Sequence, residues 1–190
     1  MNVIQILARR RACLAGSARM SVIQILARRR VALGFATALA TLVLAHPTWG
    51  TWRAGFLVAL SGEAVRIWAA GHLEKSREVT RTGPYRWTRH PLYVGSTIMA
   101  LGIVIASRST SVGVLAALYM AATLTAAIRT EEAFLRSAFG DDYDRYRDSR
   151  DEPMQRSFSV GRAIRNREYR AAAGLLAGFA LLALKVVGSL

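Results

Sequence analysis

Residues 92–128, LYVGSTIMALGIVIASRSTSVGVLAALYMAATLTAAI, carry a single charged residue, Arg108. It lies in a short linker between two apolar runs, 92–107 and 111–128. Two such segments joined by so few residues fold back on each other, which predicts an antiparallel helical hairpin. A full membrane crossing usually takes about 20 residues, so the shorter run, 92–107, is open to a partly re-entrant reading. Dense polar stretches flank the hairpin: GPYRWTRHPLYVG at 83–95 and RTEEAFLRSAFGDDYDRY at 129–146. Polar clusters beside membrane-grade apolar runs call for a reason, and a cofactor held at the membrane face supplies one.

The composition supports a membrane reading. The 190 residues are 53% hydrophobic, with a mean hydropathy of +0.24, yet carry a net charge of +14. Apolar and charged residues must therefore be segregated, as in a polytopic protein with basic cytoplasmic loops. A nucleic-acid binder would instead display its basic residues on a water-soluble fold. The single Cys13 excludes an intrachain disulfide and a thiol cluster, and no metal site is read.

Working outward, VIQILARRR occurs at 3–11 and again at 22–30. Two copies are too few for a solenoid, so residues 1–30 read as a basic arm with a duplicated start, Met20 being an alternative initiator. The arm could lie on an anionic membrane surface, with Arg28 to Arg30 pinning the first span. Residues 31–190 read as one membrane domain. Its apolar runs are 31–45, 54–71, 92–107, 111–128 and 171–188, with Lys185 near the end of the last, where it can snorkel. His46, Pro47, Trp49, Gly50 and Trp52 read as a turn at interfacial depth. Glu63 and Arg66 share one face of the second run, as a structural ion pair or the edge of a site. Lys75, Arg77, Arg81, Arg86 and Arg89 place the following loop in the cytoplasm. The expectation is an all-α polytopic protein of about five transmembrane helices, with the amino terminus and both polar stretches cytoplasmic.

Within the first stretch, Pro91 suits the first position of a helix, which places His90 at the cap. Gly95 admits close approach of a backbone or a ligand. In the second, the helix should run past Arg129, Glu131 and Glu132 and stop at Gly140. Adjacent glutamates point to different faces, so they do not form a carboxylate pair of the glycosidase type, and one can face a site while the other meets solvent or Arg129.

The coupled pattern RHPxYxG and EExxLxxxFGxxYxxY resembles the isoprenylcysteine carboxyl methyltransferase family, which groups with membrane phospholipid methyltransferases. The resemblance covers about residues 63–147. It implies S-adenosylmethionine as methyl donor, a cytosol-facing pocket in a helical bundle, and a lipophilic acceptor, prenylated or lipid, entering from the bilayer. It also implies cofactor contacts at His90, Tyr93, Gly95, Arg129, Glu131 and Glu132, with Arg89 and Glu132 the residues for activity. The chain departs from the family in its amino-terminal arm and in the span at 171–188. Competing readings are a phospholipid N-methyltransferase, a non-catalytic lipid- or partner-binding membrane protein, and a nicotinamide-dependent membrane reductase, for which no residue argues. Oligomeric state is not legible.

Overall fold

The computed structural model describes residues 22–75, 77–148 and 156–188, so the first copy of the repeat lies outside the described residues. Among the described residues every regular element is helical: α1 (Val22–Leu44), α2 (Trp49–His72), a 3-10 turn (Gly83–Arg86), α3 (Pro91–Ser107), α4 (Thr110–Phe139), α5 (Asp141–Arg147), α6 (Val160–Arg165) and α7 (Tyr169–Val187). The second copy of the repeat is helical and continuous with the first apolar run. No boundary falls at residue 30.

The expected turn at 46–52 is shorter than the sequence suggested. Thr48 caps α2 reciprocally with Thr51, each side chain meeting the other's backbone N–H, so the helix begins at Trp49. Such a capping box satisfies two orphan donors at once and outweighs the weak turn tendency of Gly50. At the hairpin, Arg108 takes a left-handed conformation (φ 48°) and Ser109 caps α4 by accepting from Val112 N–H.

Successive long helices alternate in direction, which creates two ends. At one, His46 N–H donates to Ser107 O (2.8 Å), and Lys185 Nζ donates to Leu42 O (2.7 Å) and Val43 O (2.9 Å). Lys185 thus satisfies the orphan carbonyls at the end of α1, where a cation also complements the helix dipole. At the other end, Ser159 N–H donates to Gly71 O (3.1 Å), and Asn166 Nδ2 donates to Ala70 O and Leu73 O. The carboxy-terminal segment therefore caps α2.

The tightest contact in the bundle is between α2 and α3. A Cβ on Gly55 would lie 2.4 Å from Gly102 O, and one on Gly62 would lie 2.7 Å from Gly95 O. Only hydrogen at these positions lets the two backbones meet. Gly55→Val is expected to destabilise the protein by about 1–3 kcal/mol through overpacking. The check is the thermal midpoint in detergent; an unchanged midpoint would show that the two helices need not touch there. Helix α7 joins through aromatic packing, with Trp52 stacked on Phe56 and Phe179 edge-on to both, while Trp52 Nε1 donates to Phe179 O (2.9 Å).

Helices α4 and α7 are long and apolar enough to cross a membrane, and only 11% and 22% of their apolar windows is buried within the protein. A core helix of a soluble domain would be mostly buried. The apolar parts of α1 and α3, Val31–Leu44 and Pro91–Ser107, are shorter, and α2 carries Arg53, Glu63 and Arg66. Of the five segments expected to span, α4 and α7 alone meet both length and composition among the described residues. Phe35, Leu39 and Val43 on α1 and Leu118 on α4 are also exposed, so the flanks of the bundle remain apolar.

Candidate active site

The start of α3 and the extension of α4 meet at the end of the bundle where the carboxy-terminal segment caps α2. His90 is the N-cap of α3 and Pro91 its first residue, so the chain enters the helix with the His90 ring one turn from Tyr93. The two rings stack, with centroids 5.6 Å apart. On α4, Glu131 and Glu132 lie beyond the apolar part of the helix, which continues to Phe139. It stops at Gly140, whose φ of +51° is a conformation that a side chain would disfavour.

Both carboxylates turn to α3. Tyr93 Oη donates to Glu131 Oε2 at 2.7 Å. His90 Nε2 lies 3.2 Å from Glu132 Oε1, its Nδ1 lies 3.9 Å from Glu131 Oε2, and Arg89 Nη1 approaches Glu132 Oε1 at 3.5 Å. Both glutamates thus lie on one wall facing His90 and Tyr93, and among the described residues neither meets Arg129. The His90 ring stands between the two carboxylates and offers a nitrogen towards each, and glutamate side chains are long enough to converge from neighbouring positions. Arg129 is exposed and, among the described residues, makes no ion pair. Gly95 is buried against Gly62 and Arg66 of α2, so the close approach expected there is that of a backbone. The structure thus brings Arg89, His90, Tyr93, Glu131 and Glu132 together and leaves Arg129 and Gly95 outside that cluster.

Three tyrosines back the cluster. Tyr143 of α5 is 1% exposed, and its hydroxyl feels Glu132 and Arg89. Tyr146 Oη donates to Tyr85 O at 2.8 Å, which ties α5 to the turn that precedes α3. Burial raises all three phenols. It lifts Tyr146 to about 12 against the lowering charge of Arg89, lifts Tyr143 with help from Glu132, and lifts Tyr85 well above the usual tyrosine range with help from Glu131. The YxxY spacing at 143–146 was the available signal for Tyr143 and Tyr146.

These raised phenols make the fold sensitive to alkali. A phenol whose folded value is raised favours the fold while neutral, so its contribution is whole below pH 10 and is lost as pH climbs towards 12. Unfolding monitored by circular dichroism should therefore show stability falling between about pH 10 and 12, and Tyr146→Phe should flatten part of that fall. A flat wild-type profile would mean that α5 does not brace the turn before α3.

Behind the cluster, Arg66 ties three helices. Its guanidinium reaches Glu168 Oε1 (2.5 Å) before α7, Ser96 Oγ (2.5 Å) and Leu92 O (3.4 Å) on α3, and Glu63 Oε2 (3.6 Å) on α2. Glu63 is 3% exposed. The pair expected from sequence is thus a structural network in which the partner at closer range, Glu168, comes from the far end of the chain.

A phospholipid methyltransferase family model matches residues 59–142. That span runs from the middle of α2 through both polar stretches, and it contains all five clustered residues. Over that stretch the chain is similar to the phospholipid methyltransferase family. The chain is also 37% identical over 110 residues to the cobalt-zinc-cadmium resistance protein CzcN of Cupriavidus metallidurans, covering 53% of this chain and 51% of that protein. It is 32% identical over 121 residues to the nickel-cobalt-cadmium resistance protein NccN of Alcaligenes xylosoxydans xylosoxydans, covering 58% and 57%. A third relative is the protein-S-isoprenylcysteine O-methyltransferase of Schizosaccharomyces pombe, 34% identical over 87 residues, covering 46% and 37%. The chain thus spans about half the length of the first two relatives and less of the third. No solved structure matches it significantly. The first two names state a resistance rather than a reaction. The family model and the third relative carry the names of methyltransferases, and α4 and α7 are long and apolar enough to cross a membrane.

Proposed function

We propose that the protein is an integral membrane, S-adenosylmethionine-dependent methyltransferase acting on a lipophilic acceptor, an isoprenylcysteine-type carboxylate or a related lipid or thiol. The observation that carries this reading is the convergence of Arg89, His90 and Tyr93 on Glu131 and Glu132 at one end of an apolar bundle. The donor set fits the cofactor, because two partly exposed carboxylates suit its ammonium group, its ribose hydroxyls and its sulfonium charge. When bound, S-adenosylmethionine would supply an electrophilic methyl group. His90 and Tyr93 orient the two carboxylates, and Arg89, whose side chain is 44% exposed, is available to hold an anionic acceptor. Transfer to an acceptor that is already an anion needs little acid–base chemistry, so the residues contribute by positioning and by excluding water.

In the proposed topology five helices cross the membrane and the basic loops hold the amino terminus and the site on the cytoplasmic side. The alternatives are a phospholipid N-methyltransferase and a non-catalytic membrane protein. Calorimetric titration in detergent with S-adenosylmethionine and S-adenosylhomocysteine tests the cofactor, and saturable binding is expected. No binding at millimolar ligand would favour the non-catalytic alternative. A mass gain of one methyl group on a carboxylate, thiol or amine lipid then identifies the acceptor.

A further inference from the structure

A second polar feature lies at the same end of the bundle and takes no part in the cluster described above. It is a notch of about 320 Å³ between the end of α2 and the start of α7, lined by Leu73, Glu74, Lys75, Arg77, Arg165 and Asn166. One carboxylate, Glu74, faces three guanidiniums there: Arg77 at 3.9 Å, and Arg162 and Arg165 at 3.8 Å. Contacts of this length leave the guanidinium donors short of a hydrogen bond to that carboxylate. Arg162 spends its Nε on Gly71 O (2.7 Å), but the side chains of Arg77 and Arg165 are 82% and 67% exposed. With Lys75 on the rim, four cations meet one anion.

Exposed apolar side chains lie close in the chain to the notch residues Arg165 and Asn166. Val160 and Ile164 are four apart on α6, hence on one face, and both are exposed, as is Tyr169 at the start of α7. Ile164 directly precedes Arg165 in the chain. The level is where the long run of α2 ends and that of α7 begins, which in a membrane is headgroup depth. A cationic notch at that depth beside exposed aliphatic side chains matches a molecule with a phosphate head and acyl chains.

We propose that this notch binds the phosphate of an anionic phospholipid, with Lys75, Arg77 and Arg165 as its ligands and Val160 and Ile164 against the acyl chains. The inference depends on membrane placement and stands whether or not the protein transfers methyl groups. A free phosphate ion would satisfy the same cations but would make no use of the exposed aliphatic side chains.

The test is native mass spectrometry of the full chain in neutral detergent, titrated with phosphatidylglycerol, with phosphatidylcholine and with inorganic phosphate. Phosphatidylglycerol should be retained at least tenfold better than phosphatidylcholine. Each basic residue at a membrane surface is worth roughly fivefold, so K75Q/R77Q/R165Q should weaken phosphatidylglycerol binding at least tenfold and leave phosphatidylcholine binding unchanged. Equal retention by the wild type and the triple variant would overturn the proposal. Tighter binding of inorganic phosphate than of phosphatidylglycerol would overturn the lipid assignment. Should the triple variant not fold, Arg77→Gln alone, at a ligand whose side chain is 82% exposed, should still weaken retention roughly threefold or more, and no change would count against the site.

Discussion

Glu132→Gln is expected to lower methyl transfer by roughly 10²-fold while the protein still folds. Glu132 Oε1 is the point at which His90 Nε2 (3.2 Å) and Arg89 Nη1 (3.5 Å) meet, and its charge helps burial to raise the Tyr143 phenol. Glutamine keeps the size and one acceptor but removes the charge, so the cation–anion contact to Arg89 becomes a neutral one. Hydrogen bonds to charged groups are about twice as strong as neutral ones, and loss of one charge-matched contact at a reacting centre typically costs about 10²–10³ in turnover. Arg89→Ala should act in the same direction from the other partner. Steady-state kinetics with a methylated-product readout checks both. Near-normal turnover in the two variants would remove this pair from the mechanism and leave Glu131, His90 and Tyr93 as binding groups alone.

Arg66→Met is expected to cost about 3–5 kcal/mol of stability. The substitution strands two buried carboxylates, Glu63 and Glu168, that now share one guanidinium, and breaking a buried pair from one side costs far more than the pair itself contributes. It also frees Leu92 O and Ser96 Oγ in the first turns of α3, next to Tyr93. Adding Glu63→Gln to Arg66→Met should recover part of the loss, because it removes one of the stranded charges. Thermal unfolding in detergent gives the comparison. If Arg66→Met melts with the wild type, the network is not what holds α7 to the start of α3, and the packing of Trp52, Phe56 and Phe179 must suffice.

The fold was legible wherever a local rule had no rival. Pro91 could open a helix but not continue one, and α3 begins there with His90 as its cap. Gly140 could end α4 at little strain, and the helix ends there at positive φ. The hairpin at Arg108 followed from linker length alone. At Trp49 the turn residues misled, since the reciprocal bond between Thr48 and Thr51 depends on a three-residue spacing that composition does not weigh.

By itself, the sequence determined that the chain is helical and apolar-flanked, that two polar stretches border one hairpin, and which residue types they hold. Those properties follow from periodicity, capping and charge segregation, all of which act within a few residues. Only the tertiary structure decided that both Glu131 and Glu132 turn to α3, that Gly95 packs on α2, and that Arg66 takes Glu168 as a partner from more than a hundred positions away. Side-chain reach and the crossing of helices set those contacts, and neither is a property of any short stretch of chain.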